Sequence, residues 1–375
     1  SEHHWNVTVG DLTSIPSGDT TKYLPPSLTR VSGTVTMGTP GDETVILEGE
    51  NMGILRDDIV ARANYSNGVF MYPASCRVVE NHVRWECTTV EGVGALHHWS
   101  GHIGSQWSPQ VSSNTTSYRI PSITTVPSLL GTPAGESFTV SGEDFGPLKS
   151  VIGVTYGGAS CTRYNATSCT VSVAHTSVTC KSVEGTGTDH CWKLTVGFQT
   201  SVASTVLTSH IRPSITSVVP RSPIDTRGGE EIVVNGTNFG PEGRELNPVT
   251  MLYSTTYQNS DFSFPGVLCN VTIAHVEITC WSSPGIGHSF TTTVTVEGQT
   301  SVPSTGLLTY KTPIVYTLTG VRPGALHTSG GDVVVVTGDY LGPHHARNVI
   351  SATYGPTGTE LSIDSCVLVE PHVQV

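Results

Sequence analysis

Short runs of alternating apolar and polar residues, each closed by glycine or proline, fill the chain. Ser137 to Val140 alternates, Ser150 to Tyr156 is an apolar run ending at Gly157-Gly158, and Cys191-Trp-Lys-Leu-Thr-Val196 alternates again. Period-two spacing puts alternate side chains on a buried face and a wet face, which predicts half-buried strands. Pro121-Ser-Ile-Thr-Thr-Val-Pro127 reads as an entry strand. Cys169 to Val173 and Ser177 to Cys180 read as strands either side of a turn, and Val206 to Ile211 as a closing strand before Pro213. Seven short strands within about 95 residues, with turns every eight to twelve, predict a two-sheet β-sandwich. No stretch keeps a helical period, and no apolar run approaches the roughly 18 residues of a membrane span.

The pattern is written four times. Cys76 and Cys87, Cys169 and Cys180, and Cys269 and Cys280 are each eleven positions apart, and each pair encloses a histidine: His82, His175 and His275. A fourth copy opens at Cys366 and reaches His372. Upstream, each copy has a glycine-bounded apolar strand, as in Gly229-Glu-Glu-Ile-Val-Val-Asn-Gly236-Thr-Asn-Phe-Gly240. Its equivalent glycines, Gly49, Gly142, Gly236 and Gly338, are spaced 93, 94 and 102 residues. The longer last interval predicts an insertion in the third copy around Ser254 to Ser263. A long-period repeat fixes the architecture before any local reading. The glycines of Gly142-Glu-Asp-Phe-Gly146 and its copies are expected in turns, where glycine permits positive φ.

Composition narrows the chemistry. The 40 glycines and 23 prolines suit turn-rich β-structure, and a net charge of −12 without basic clusters argues against nucleic acid or an anionic membrane as partner. Nine cysteines at regular spacing predict disulfides Cys76–Cys87, Cys169–Cys180 and Cys269–Cys280, with Cys161 and Cys191 as one more pair and Cys366 unpaired. Zinc would need clustered ligands, and disulfides imply an oxidising compartment. Asn6, Asn64, Asn114, Asn165, Asn235 and Asn270 head Asn-x-Ser/Thr acceptors, so covalent glycans are expected and no cofactor is. The pairs His3-His4 and His97-His98 lie beside Trp5 and Trp99, while the corresponding places elsewhere read Asp189-His190 and Gly287-His288, giving no consistent metal-ligand set. Glu143, Asp144 and Asp339 are calcium candidates whose acidity is not kept at Thr237-Asn238. The cysteine-framed histidines read as hairpin caps. No nucleophile elbow or recurring carboxylate pair is present, so an enzyme is not expected.

Four words together carry a family resemblance: Pro-x-Ile at Pro121-Ser-Ile and Pro213-Ser-Ile, the Gly…Phe-Gly strand, Ile278-Thr-Cys280, and Val294-Thr-Val-Glu-Gly-Gln-Thr-Ser301. The chain resembles the IPT/TIG family of immunoglobulin-like domains, most closely in its second and third copies. The first departs at Gly92-Val-Gly-Ala-Leu-His-His-Trp99 and has no clear valine strand after it. The resemblance implies an all-β fold of tandem immunoglobulin-like sandwiches in an elongated array, with units at 26–120, 121–212 and 213–312. Family members include receptor stalks of plexin type, surface and ciliary proteins, starch-enzyme modules and transcription factors, so fold does not decide function.

The two ends read as complementary pieces. Ser1-Glu-His-His-Trp5 matches Ala95-Leu-His-His-Trp99, so residues 1–25 read as the closing strands of a preceding unit. Residues 313–375 read as a unit lacking those strands. Either the chain is a window on a longer array, or the open sandwich of one molecule is completed by the amino-terminal strands of the next. Both readings predict an extracellular glycoprotein fibre or fibre segment whose partner is itself, head-to-tail, with no membrane insertion. The stalk of a receptor or adhesin is the competing expectation, and an accessory region of a carbohydrate-active enzyme a third.

Overall fold

The computed structural model describes the chain apart from Ser1, residues 57–59, Arg221, residues 244–247, 258–259, Gly306, residues 321–324, 345–349 and Asp364. Ser1 in the amino-terminal repeat of the Trp word, and Gln258-Asn259 in the third-copy insertion, thus lie outside the described residues. Those described are all-β, with no helix among them. The chain divides into two compact units: Ser1–Ser128 with Glu136–Val183 and Asp189–Thr208, and Leu129–Gly135 with Glu184–Thr188 and Ser209–Val375.

In the first unit, the first repeat runs through one continuous ladder. Its order is Ser27–Gly33, Thr44–Glu50, Arg84–Thr88, Met71–Glu80, Ala61–Ser66, His97–Ile103, Thr115–Tyr118 and Thr36–Met37. The ten-residue strand Met71–Glu80 pairs with Ala61–Ser66 through its first part and with Arg84–Thr88 through its last. Leu47, Tyr65, Trp85, Trp99 and Tyr118 fill the core. The strand His97–Ile103 contains no valine, yet His97, Trp99, Gly101 and Ile103 are buried in alternation. It takes the place of the valine strand that sequence reading could not find there.

Within the first unit, the second repeat separates into two four-stranded sheets. One orders Ser122–Thr125, Ser137–Glu143, Ser177–Lys181 and Thr167–Val173; the other orders Tyr164–Asn165, Ile152–Tyr156, Trp192–Val196 and Gln199–Thr200. Phe138, Val140, Tyr156, Val178, Trp192 and Leu194 are buried. Here the corner between Tyr164–Asn165 and Thr167–Val173 breaks what is one strand in the first repeat.

In the second unit, the third repeat is again continuous: Ser214–Val219, Glu231–Thr237, Glu277–Trp281, Ser260–Ile273, Val249–Tyr257, Thr291–Val296 and Gln299–Thr300. Its insertion lengthens a hairpin, since Val249–Tyr257 has nine residues where Ile152–Tyr156 has five. Ile232, Val234, Phe239, Tyr253, Phe290 and Tyr310 form its core. The segment after it contributes two short pairs, Ile314–Thr319 with Val335–Asp339 and Thr353–Tyr354 with Leu361–Ser362. Val315, Tyr316, Leu318, Val333, Tyr354 and Leu361 stay exposed there.

One sequence expectation needs correcting. Gly142 is not a turn residue; it lies inside the strand Ser137–Glu143, where an added Cβ would sit 1.9 Å from the Ser122 carbonyl oxygen of the next strand. Gly49 meets Ser27, Gly236 meets Ser214 and Gly338 meets Ile314 in the same way, at 1.9 to 2.0 Å. The repeated glycine is therefore a spacer between strands, beside a register shift in the ladder. Only the second glycine of the word, such as Gly146 at φ 83°, makes a left-handed turn.

Candidate functional site

The recurring polar groups gather where one repeat meets the loops of another. His82, His175, His275 and His372 all adopt left-handed backbone, with φ between 65° and 67°. The N–H of each donates to the carbonyl of the turn glycine: Gly53 at 2.5 Å, and Gly146, Gly240 and Gly342 at 2.7 Å. This conformation swings the ring out of its hairpin. Within the first unit, His175 Nδ1 lies 3.0 Å from Thr39 Oγ1. Within the second, His275 Nδ1 lies 3.0 Å from Thr132 Oγ1, and His372 Nδ1 lies 2.9 Å from Thr226 Oγ1. Thr39, Thr132 and Thr226 are each 1% exposed, so the pairing shields both partners. The histidines cap their hairpins, but their rings serve as joint residues, a role that sequence reading did not assign.

Two further contacts recur beside this one. Gln106, Gln199 and Gln299 donate their Nε2 hydrogens to the carbonyls of Tyr23, Tyr118 and His210, at 3.1, 2.9 and 2.8 Å. In the second, third and fourth copies the left-handed residue before the turn glycine's apolar neighbour also reaches backwards. Asp144 Oδ1 accepts from the Thr39 N–H at 2.9 Å, and Asn238 donates to the Arg212 carbonyl at 3.3 Å. Tyr340 receives Lys311 and Arg227 over its ring at 5.0 and 5.8 Å. Asp144 is thus a hydrogen-bond acceptor from backbone, and Asp339 pairs with Arg227 at 2.6 Å. No group of three or more metal-binding side chains occurs among the described residues. Burial pushes His275 and His372 below the ordinary histidine value, so both rings favour the neutral form that can accept as well as donate.

The amino-terminal hairpin repeats the internal wiring of a core strand without the core. The Trp5 N–H donates to Ser17 Oγ at 2.9 Å and its indole donates to Thr21 Oγ1 at 3.0 Å. Trp99 makes the same pair with Ser112 and Thr116 at 2.9 and 3.0 Å, and Trp192 with Ser204 and Thr208 at 2.9 and 2.7 Å. Trp99 and Trp192 are fully buried, whereas Trp5 is 62% exposed and Val7, Val9, Leu12, Ile15, Tyr23 and Leu24 are exposed with it.

The cysteines form Cys76–Cys87, Cys169–Cys180, Cys269–Cys280 and Cys161–Cys191 disulfides, and Cys366 is free. The first three tie neighbouring strands of one sheet, with Cα atoms 4.0 to 4.1 Å apart. The fourth ties the loop after Ile152–Tyr156 to the start of Trp192–Val196. Of the acceptor asparagines, Asn6, Asn114 and Asn165 are exposed, while Asn64, Asn235 and Asn270 are half-buried on strands. The two tandem histidine pairs serve different surroundings. His97 is buried against the edges of Tyr65, Tyr72 and Tyr118, and burial pushes its pKa down; His98 is exposed. His190 and Phe290 occupy the place of His97, not His288 as the sequence alignment suggested.

Residues 213–310 match the model of the IPT/TIG domain family. No curated protein matches the chain. Among solved structures it is similar to the plexin A4 full extracellular region, at 15% identity over 93% of this chain and 28% of that one, with a TM-score of 0.24. It is also similar to the Escherichia coli adhesin FdeC (13% identity, 76% and 97% covered, TM-score 0.25). A surface glycan-binding protein from Prevotella bryantii is a third (11% identity, 64% and 66% covered, TM-score 0.29). The chain therefore spans little more than a quarter of the plexin A4 region. With its four-fold repeat and its immunoglobulin-like sandwiches, the chain carries an IPT/TIG domain at residues 213–310 within a tandem all-β array.

Proposed function

We propose that the chain is a structural segment of an extracellular glycoprotein fibre built head-to-tail from IPT/TIG-like sandwiches. In this reading the open sandwich of residues 313–375 is completed by a hairpin of the kind formed by residues 1–25, from a neighbouring subunit or from contiguous chain. The carrying observation is Trp5: its backbone and indole hold the bonds that buried Trp99 and Trp192 hold, while its ring faces solvent. A strand so ordered with its apolar face uncovered favours addition to another sheet. Because the two surfaces differ, the contact is heterologous and propagates into a filament.

Four disulfides support an oxidising compartment, and exposed Asn6, Asn114 and Asn165 are the positions at which glycans fit best. The functional class is mechanical, with no cofactor and no catalytic step. Electron microscopy and sedimentation of the purified chain test the reading. Filaments or concentration-dependent oligomers are expected, and deletion of residues 1–25 should abolish them while the middle repeats stay folded. Filaments that survive the deletion would sink it. The recurring His–Thr and Gln–carbonyl contacts also suit a spacer, so a receptor or adhesin stalk is the second reading; a purely monomeric chain would favour it.

A further inference from the structure

We propose that His82 of one copy and Thr328 of another make the same joint between molecules that His175 and Thr39, His275 and Thr132, and His372 and Thr226 make within the chain. The inference rests on the head-to-tail reading and names the residues that set its geometry. Thr39, Thr132, Thr226 and Thr328 are spaced 93, 94 and 102 residues, the intervals that separate the four strand glycines. Thr328 therefore stands at the register of three threonines that each meet a histidine ring. It is exposed, as is His82, whereas the rings of His175 and His275 are only 15% and 16% exposed. Among the described residues neither has the partner its counterparts have.

The two surfaces are already shaped for the contact. His82 has the left-handed φ of 65° and the bond to Gly53 that aim the other three rings. The loop of Thr328 is held by the turn that holds its counterparts, in which a carboxylate accepts from a backbone N–H five residues earlier. Glu43 accepts from Gly38 at 3.0 Å, Glu230 from Asp225 at 3.1 Å and Asp332 from His327 at 2.6 Å. The hairpin of residues 1–25 is meanwhile fastened to the first repeat by the Gln106–Tyr23 bond, the counterpart of Gln199–Tyr118. A second copy whose open sandwich takes up that hairpin thus brings its Thr328 loop against His82. Strand completion and joint then close together.

The test uses the full chain carrying His82→Cys and Thr328→Cys in a Cys366→Ser background, treated with an ethylene-bridged bis-methanethiosulfonate that joins two thiols as mixed disulfides. The joint predicts a non-reducing denaturing ladder at multiples of 39.6 kDa. It also predicts no ladder when Val69→Cys replaces His82→Cys, since Val69 adjoins Phe70, which packs on Phe198 at the other end of the first repeat. Sedimentation of the same samples separates the outcomes. Assembly without a ladder, or an equal ladder from Val69→Cys, overturns the joint and leaves head-to-tail completion standing. A Cys366→Ser parent that never assembles overturns both. If the parent assembles and the double variant does not, at an unchanged Tm, His82 and Thr328 are again assigned to the contact.

Discussion

Trp192 lies flat on Tyr156, with ring centroids 4.3 Å and planes 18° apart, and Trp99 repeats the contact on Tyr65 at 4.5 Å and 21°. The stack ties neighbouring antiparallel strands and places an indole in the core of the first repeat and of the second. Trp192→Ala should cost about 3–5 kcal/mol of second-repeat stability, read by urea unfolding. Trp5→Ala should leave that transition unmoved and weaken self-association, because Trp5 has no core of its own to support. A stability loss from Trp5→Ala equal to that from Trp192→Ala would contradict this account.

Gly142 and Gly153 separate steric need from mere tolerance. A Cβ on Gly142 would meet the Ser122 carbonyl at 1.9 Å, while one on Gly153 meets nothing closer than Thr195 Cβ at 3.8 Å. Gly142→Ala is expected to destabilise by about 1–3 kcal/mol through forced strand displacement. Gly153→Ala should stabilise by about 0.4–1 kcal/mol by restricting the unfolded chain. Thermal unfolding of the two variants side by side checks the opposite signs.

The disulfides should differ in worth by loop length. Cys169–Cys180 closes a separation of 11 residues and Cys161–Cys191 one of 30. Loop-closure entropy gives about 3 kcal/mol for the shorter and about 4 kcal/mol for the longer. Serine pairs at each site, compared by denaturant midpoint, should rank in that order.

Acid should loosen the first repeat through His97. Burial holds its folded pKa below the unfolded value of about 6.5. The stability it contributes is therefore complete above that unfolded value and is lost as pH falls through the folded one. The third repeat has Phe290 in the same place, so His97→Phe should fit and flatten the acid limb of a stability-against-pH curve. An unchanged limb would mean that another group is responsible.

Strands, repeat length and cysteine pairs were legible because each is encoded within a few dozen residues. Val294-Thr-Val296 and Ser177-Val-Thr-Cys180 show their alternation directly. The role of Gly142 was not legible, because the atom that excludes a side chain there belongs to Ser122, on another strand. The recurrence of His175 and His275 was plain, but not their partners: Thr39 and Thr132 lie 136 and 143 residues away and gave no local sign. The strand His97–Ile103 was not legible as a valine strand because Gly101 and Ile103 stand at the inward positions that Val294 and Val296 fill in the third repeat. The counterpart of His97 in the third repeat was not legible either, since the ring at that core position is Phe290, two residues beyond His288.

The threonine that receives a ring and the histidine that offers one lie on the same repeat, as Thr132 and His175 do. Every module thus inherits both plug and socket, and duplicating or deleting one leaves its neighbours with matching fittings. Length could then vary by whole modules without redesigning any coupling.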